Sequence, residues 1–288
     1  MTDRELRFFP GCAMDGAGAE YGRSTVAVLE ALGVPVRVLD DWNCCGATAA
    51  RHEDPALAVR LSGRNLALAA REGCDLLVNC AACYNNLAYS REYLAAHPAA
   101  WPAAAGDGAR PESTGVRHLL TVLTADAVLE RISERVVQPL AGLRLACYYG
   151  CLLVRPGGYT DVDDPENPHR MDDLLRVCGA EPVDWSYKTD CCGGSASLTD
   201  NPAAVELMAR LFDSCLQQDV GALVTACPLC HVNLDAWQGK VSALLGREVR
   251  LPIYYFTELV AYALGLPGVD RWLSAHITDA RAPLRKCR

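Results

Sequence analysis

Cys44-Cys45-Gly46-Ala47-Thr48-Ala49 and, 147 residues further on, Cys191-Cys192-Gly193-Gly194-Ser195-Ala196 decide how this chain is read. The same offset relates Cys80 to Cys227 and Cys83 to Cys230, and it carries non-sulfur residues with it: Pro55/Pro202, Ala56/Ala203, Asn86/Asn233 and Leu87/Leu234, with Pro35/Pro182 and Val36/Val183 upstream. Residues that set the backbone repeat along with the thiols, so the chain is an internal duplication. Each half opens with one more cysteine after an aromatic-rich strand signal, Cys12 behind Phe8-Phe9-Pro10-Gly11 and Cys151 behind Tyr148-Tyr149-Gly150. Each half therefore offers five thiols. The register breaks once, where the second half carries extra residues in the stretch 155–167.

Each half alternates strand and helix signals. In the first, 6–9 reads as a strand, 20–32 as a helix closed by Gly33, and 34–39 as a second strand before the Cys-Cys-Gly turn. Asp54-Pro55 reads as an N-cap with proline at the first helical position, opening a helix to about residue 72, and 75–79 is a short buried strand delivering Cys80. The second half repeats this with 143–148, 171–178, 182–185, 201–217 and 222–226. The expected fold is α/β: two duplicated Rossmann-like α/β domains, residues 1–137 and 138–288, related by a pseudo-two-fold axis, each with a parallel sheet. Residues 97–115 read as a linker or surface excursion, and 119–137 as the last helix of the first domain, matching 257–264 in the second. The cysteines fall at strand ends or helix starts, where open α/β sheets place their sites.

Composition excludes several classes of function. A net charge of −8 with a sequence pI near 5.3 lacks the basic excess that a phosphate backbone demands, so nucleic acid is not an expected partner. No run of apolar residues approaches the ~18 of a membrane span, and the N-terminus has no signal-peptide pattern, so the expected location is cytoplasmic. In a reducing compartment fifteen cysteines point to metal or redox chemistry and not to disulfides. Adjacent cysteines have Cα atoms ~3.8 Å apart, below the usual span of a disulfide of ~4.4–6.8 Å, so each vicinal pair bridges only under strain. Structural zinc is the competing reading, but five thiols per half exceed its four, and the ferredoxin run C-x2-C-x2-C-x3-C-P is absent. An iron–sulfur cluster fits better.

The runs Cys-Cys-Gly-Ala-Thr-Ala (44–49), Cys-Cys-Gly-Gly-Ser (191–195) and Cys227-Pro228-Leu229-Cys230-His231-Val232-Asn233-Leu234-Asp235 closely resemble the B-type component of heterodisulfide reductase, the duplicated cysteine-rich CCG family. The resemblance covers nearly the whole chain. It implies two non-cubane [4Fe–4S] clusters, one ligated by Cys12, Cys44, Cys45, Cys80 and Cys83, the other by Cys151, Cys191, Cys192, Cys227 and Cys230, with a disulfide substrate cleaved or formed between them. It also implies partners: a ferredoxin-like subunit with cubane clusters and a flavin-containing subunit, acting on a small disulfide or thiol or a lipoyl-type carrier. The chain itself has no G-x-G-x-x-G after a strand and no P-loop. One departure bears on the substrate: methanogen members tend to carry histidine around the first cysteine of the second half, where this chain has Tyr148 and Leu152.

Disulfide reduction needs protons as well as electrons. His231, one residue beyond Cys230, is the candidate catalytic proton donor, because histidine titrates near neutrality; the alternative is a supporting histidine bonded to a cluster sulfur. Tyr84 occupies the matching place in the first half. Arg155 and Lys188 are candidate substrate-binding cations, and the inserted stretch 155–167 is expected to lie over the space between the clusters and select one arm of the substrate, with Arg155 facing an acidic group. Cys74, Cys178 and Cys215 read as inert buried thiols, Cys147 stays outside the ligand set, and Cys287 reads as an exposed bystander. A second function from a different class is a non-catalytic electron-relay subunit of a dehydrogenase complex, of the lactate, glycolate or succinate type.

Overall fold

The computed structural model describes residues 5–100, 113–197 and 199–287. Two four-stranded, all-parallel sheets make up the scaffold. The first contains β1 (Leu6–Phe9), β2 (Val36–Val38), β3 (Asp75–Val78) and β4 (Val116–His118) in the order β2-β1-β3-β4. The second contains β5 (Arg144–Tyr148), β6 (Glu181–Val183), β7 (Ala222–Thr225) and β8 (Ile253–Tyr255) in the equivalent order β6-β5-β7-β8. The duplicated α/β architecture read from the sequence is thus the observed one. The central strands β3 and β7 are buried along their whole length, which is why their apolar residues run consecutively and do not alternate with polar ones.

The N-caps explain part of the repeat. Asp54 accepts a hydrogen bond from the Leu57 amide to start the Pro55–Arg71 helix, and Asp200 accepts one from the Ala203 amide to start Asn201–Gln217. The second cap is therefore Asp200, one residue before the Asn201-Pro202 pair that mirrors Asp54-Pro55 in sequence. The stretch 119–137 is not one helix. It divides into Leu119–Leu123 and Asp126–Arg135, because the Thr124 hydroxyl bonds back to Leu120 O and Ala125 turns extended as the next cap. The three-residue strands β4 and β8 escaped the sequence reading. Most of the expected linker, 101–112, lies outside the described residues.

The two halves share one contiguous apolar core. Their helices pack reciprocally: Phe256–Ala263, after the last strand of the second half, lies on Ala19–Ala31, after the first strand of the first half. Conversely, Arg170–Val177 lies on Leu119–Leu123 and Asp126–Arg135. Reciprocal contacts of this kind are the mark of a two-fold relation. At the junction Tyr21 stacks on Tyr255 with centroids 4.3 Å apart, and Ser24 bonds Thr257 at 2.7 Å. No helix among the described residues is long and apolar enough to cross a membrane.

Candidate metal centres

Every expected ligand sits at the carboxyl end of a strand or in the turn behind it. Cys12 follows β1, Cys44 and Cys45 follow β2, Cys80 caps the helix after β3 and Cys83 lies in its first turn; Cys151, Cys191, Cys192, Cys227 and Cys230 repeat the arrangement behind β5, β6 and β7. The structure brings Cys45 Sγ to 3.3 Å from Cys83 Sγ, and Cys192 Sγ to 3.4 Å from Cys230 Sγ. Main-chain donors point at the sulfurs: Gly46 N at Cys44 (3.5 Å), Ala47 N at Cys45 (3.4 Å) and Gly193 N at Cys191 (3.3 Å). Such donors favour thiolate over thiol.

The glycines of the motif are there for space. Gly193 has φ +73° and a side-chain carbon on it would stand 2.8 Å from Ala204 Cα; Gly46, at φ +79°, faces Ala58 Cα at 3.1 Å. Gly193→Ala is expected to cost about 2–4 kcal/mol, from the left-handed backbone and the clash together. A urea unfolding midpoint equal to that of the parent protein would contradict this account of the motif. Gly11 and Gly150 serve the first ligands similarly. Both have positive φ, and an added Cβ would approach Cys83 Sγ to 3.0 Å and Cys230 Sγ to 3.4 Å.

The repeated asparagines also have a role that the sequence did not disclose. Asn86 Nδ2 donates to Cys45 O at 2.6 Å and Asn233 Nδ2 donates to Cys192 O at 2.6 Å, so each pins the second cysteine of its pair. In the first half Ser62 adds a bond to the same carbonyl at 2.8 Å. In the second, Tyr148 and Tyr149 tie the Cys151 loop to the Cys191 loop. Tyr148 OH donates to Asp190 O, and the amides of Tyr149 and Gly150 both donate to Lys188 O.

Electrostatics within the thiol groups is uneven. The neighbouring Cys44 thiol, and then that of Cys83, hold Cys45 well below the usual thiol range, while Cys44 and Cys83 are pushed up. Cys191 is pushed down to about 6 by the Cys151 thiol beside it, helped by the Gly193 amide. Cys227 is lowered by the thiols of Cys230 and Cys80. That last influence crosses the junction. Cys80 and Cys227 are counterparts in the duplication, and each shifts the other's thiol, that of Cys80 upward and that of Cys227 downward.

These donors suit a multi-iron cluster better than a single ion. Four thiolates on one tetrahedral zinc stand about 3.8 Å apart. Among the described residues, the trio of metal-capable side chains whose donor atoms all fall within 4.8 Å of one another contains no cysteine. The five thiols of each half form a cradle wider than one ion, fed by backbone N–H groups. On the first-half side a cavity of about 220 Å³ is lined by Cys12, Cys44, Cys45, Cys80 and Cys83, and Pro228, Leu229 and Val232 from the second half form its far wall.

The candidate side chains beyond sulfur stand elsewhere than expected. Lys188 is buried, with Nζ 3.0 Å from the buried carboxylate of Asp172 and 3.3 Å from Pro168 O, so its charge is spent inside the fold and is not offered to a substrate. Arg155 faces an acidic group, but one of its own loop: it bonds Glu166 at 3.1 Å and Pro165 O at 2.9 Å. The inserted stretch reaches the first half through other residues. Asp161 accepts from Tyr84 OH at 2.6 Å, and Asn85 donates to Leu152 O and Arg155 O, so the loop is fastened to the helix that carries Cys83. His231 is buried, stacked on Tyr255 at 4.1 Å with Nε2 3.0 Å from Ile253 O, and burial pushes its pKa well below the histidine range. The ring is thus anchored on a main-chain carbonyl inside the fold.

Cys74, Cys147, Cys178 and Cys215 are buried, the last two pushed up to about 12 by burial, as inert thiols are. Cys287 is buried as well, against Pro283 O, and is not the exposed bystander that its place in the sequence suggested.

A family model for the cysteine-rich CCG domain matches residues 6–88 and again 145–235, more than half of the chain. The chain is 29% identical over 280 residues to the 8-methylmenaquinol:fumarate reductase membrane anchor subunit of Wolinella succinogenes, an alignment covering 96% of this chain and 98% of that protein. It is 28% identical to the B-type component of the ferredoxin:CoB-CoM heterodisulfide reductase of Methanosarcina mazei, covering 91% and 89%, and 26% identical to a protein of Archaeoglobus profundus named for its likeness to the same heterodisulfide reductase component, covering 89% of each. Among solved structures, a hypothetical protein from Helicobacter pylori superposes with a TM-score of 0.72 at 13% identity, over 97% of this chain and 53% of that one. At that identity the likeness speaks for the fold alone, and this chain spans about half the length of the solved one.

Proposed function

The chain belongs to the cysteine-rich CCG domain family in both of its halves, and from that premise we propose that it is the iron–sulfur subunit of a reductase complex that reduces or forms a disulfide between two non-cubane [4Fe–4S] clusters. The observation that supports this most directly is the placement of five thiols at the strand ends of each half. Cys12, Cys44, Cys45, Cys80 and Cys83 would hold one cluster, and Cys151, Cys191, Cys192, Cys227 and Cys230 the other. When bound, such clusters supply electrons singly and iron that polarises sulfur. The chain's own groups keep the thiolates charged through backbone N–H donors and fix the second cysteine of each pair through Asn86 and Asn233. With Lys188 and Arg155 engaged internally and His231 neutral, protons reach the site from water or from a partner.

Electrons arrive from other subunits, which we take to be a ferredoxin-like protein with cubane clusters and a flavin-containing protein; the substrate is a small disulfide or thiol, or a lipoyl-type carrier. The Wolinella relative, aligned over almost its full length, favours a second reading: a relay subunit that passes electrons without a disulfide of its own. One experiment separates the two. Protein purified without oxygen should hold about eight iron and eight sulfide per chain, and its clusters, reduced chemically, should be reoxidised on adding a disulfide. Clusters that stay reduced with every disulfide offered would leave the relay reading. Stoichiometric zinc in place of iron would remove both.

A further inference from the structure

We propose that His231, Glu258 and His276 form a binding site for a divalent transition cation of zinc-like preference, separate from the cysteine centres. The three side chains come from elements far apart in the chain: His231 from the Pro228–Ala236 helix, Glu258 from Phe256–Ala263, and His276 from the turn after Val269–Leu273. A donor atom of each lies within 4.8 Å of the other two. Glu258 is wholly buried, and the His276 side chain is only 3% exposed; Nε2 of the histidine stands 3.0 Å from Glu258 Oε1. The two imidazoles meet edge to face with centroids 4.7 Å apart.

The histidine–carboxylate pair is made through Nε2, and the other ring nitrogen of His276 is left over. His276 Nδ1 is buried without a hydrogen-bond partner among the described residues. If the ring is protonated, an N–H is stranded in the interior; if neutral, a bare lone pair is. Either is unfavourable in a buried position. Two imidazoles and one carboxylate are a regular donor set for zinc, with a fourth position left to water.

The surroundings are built like the outer shell of such a site. Glu258 Oε2 accepts the Tyr255 amide at 2.9 Å, so one carboxylate oxygen is anchored while the other faces the histidines. Asp235 accepts from the amides of Ile277 and Thr278 at 2.7 and 3.0 Å and thereby holds the turn that presents His276. Tyr255 packs flat on His231. Ligands of a tetrahedral zinc stand about 3.3 Å apart, so closing the set takes an inward shift of roughly 1–1.5 Å. Access is short, because Ile277, next to His276, is 72% exposed.

The test uses the iron-loaded chain, dialysed against micromolar zinc and then freed of loose metal. One equivalent of zinc is expected, with an X-ray absorption first shell of nitrogen and oxygen only. His276→Asn should weaken zinc binding by about 100-fold while iron and sulfide stay at parental values; Glu258→Gln, which keeps an acceptor for the Tyr255 amide, should weaken it as well. Zinc absent from the parent protein, zinc with sulfur in its first shell, or zinc retained unchanged in His276→Asn would each overturn the proposal. Because iron is counted in the same samples, failure here is distinct from failure of the cluster assignment.

Discussion

Cys192→Ser should leave about half of the iron and half of the acid-labile sulfide on the chain and abolish disulfide-dependent turnover. The serine oxygen is a poorer donor to iron than a thiolate. Cys192 also does two things at once in the fold, with its sulfur 3.4 Å from Cys230 and its carbonyl held by Asn233. Only the first is lost in the variant, since the main-chain bond to Asn233 survives. The first half should therefore keep its iron, and Cys45→Ser should give the mirror result. Iron and sulfide counts, with the electron paramagnetic resonance of each variant, are the measurements. Loss of all the iron from either variant would show that the two centres assemble only together, in keeping with the mutual effect of the Cys80 and Cys227 thiols and against two independent sites.

Lys188→Met carries the second large effect, on stability. Removing the ammonium leaves the Asp172 carboxylate, 1% exposed, without its cation, and breaking one side of a buried pair costs about 3–5 kcal/mol. Tyr149 OH still donates to Asp172 at 2.7 Å but brings no charge. Adding Asp172→Asn to Lys188→Met should recover most of the loss, because the uncompensated charge then goes too. Denaturant unfolding of the single and double variants measures both. A single variant within about 0.5 kcal/mol of the parent, the ordinary range for surface changes, would return Lys188 to the pool of groups free to meet a ligand.

The sequence disclosed the parts of the molecule that repeat and missed those that occur once. Eight of the ten motif cysteines, the glycine behind each vicinal pair and the prolines Pro55 and Pro202 share a spacing, and the structure places them at corresponding strand ends and helix starts. β4 and β8 were not read from the sequence; their pairing to β3 and β7 is decided by the sheet and not by local propensity. Lys188 and Arg155 were misplaced for a related reason. A lone cation has no pattern, and its partner, Asp172 or Glu166, is chosen by chain geometry that local sequence does not encode. His231 was singled out in the sequence, Glu258 and His276 were not. The approach of His231 and Glu258 to His276 depends on a turn that Asp235 holds in place, which no spacing rule reports.

The ring pairs beside the junction show what joining the halves in one chain permits. The first half sets Tyr84 of the Cys83 helix against His118 at the end of β4, edge to face at 5.6 Å; the second sets His231 of the Cys230 helix against Tyr255 at the end of β8, stacked at 4.1 Å. The same two side-chain types occupy the same two places with their order reversed. In an assembly of two identical chains every substitution falls twice, once on each side of the axis, and such a reversal could never arise. Here a substitution falls once. Tyr84 is thereby free to bond Asp161 of the inserted loop while its counterpart His231 lies beside Glu258 and His276. Heredity has left the thiols as copies and let their neighbours become different instruments.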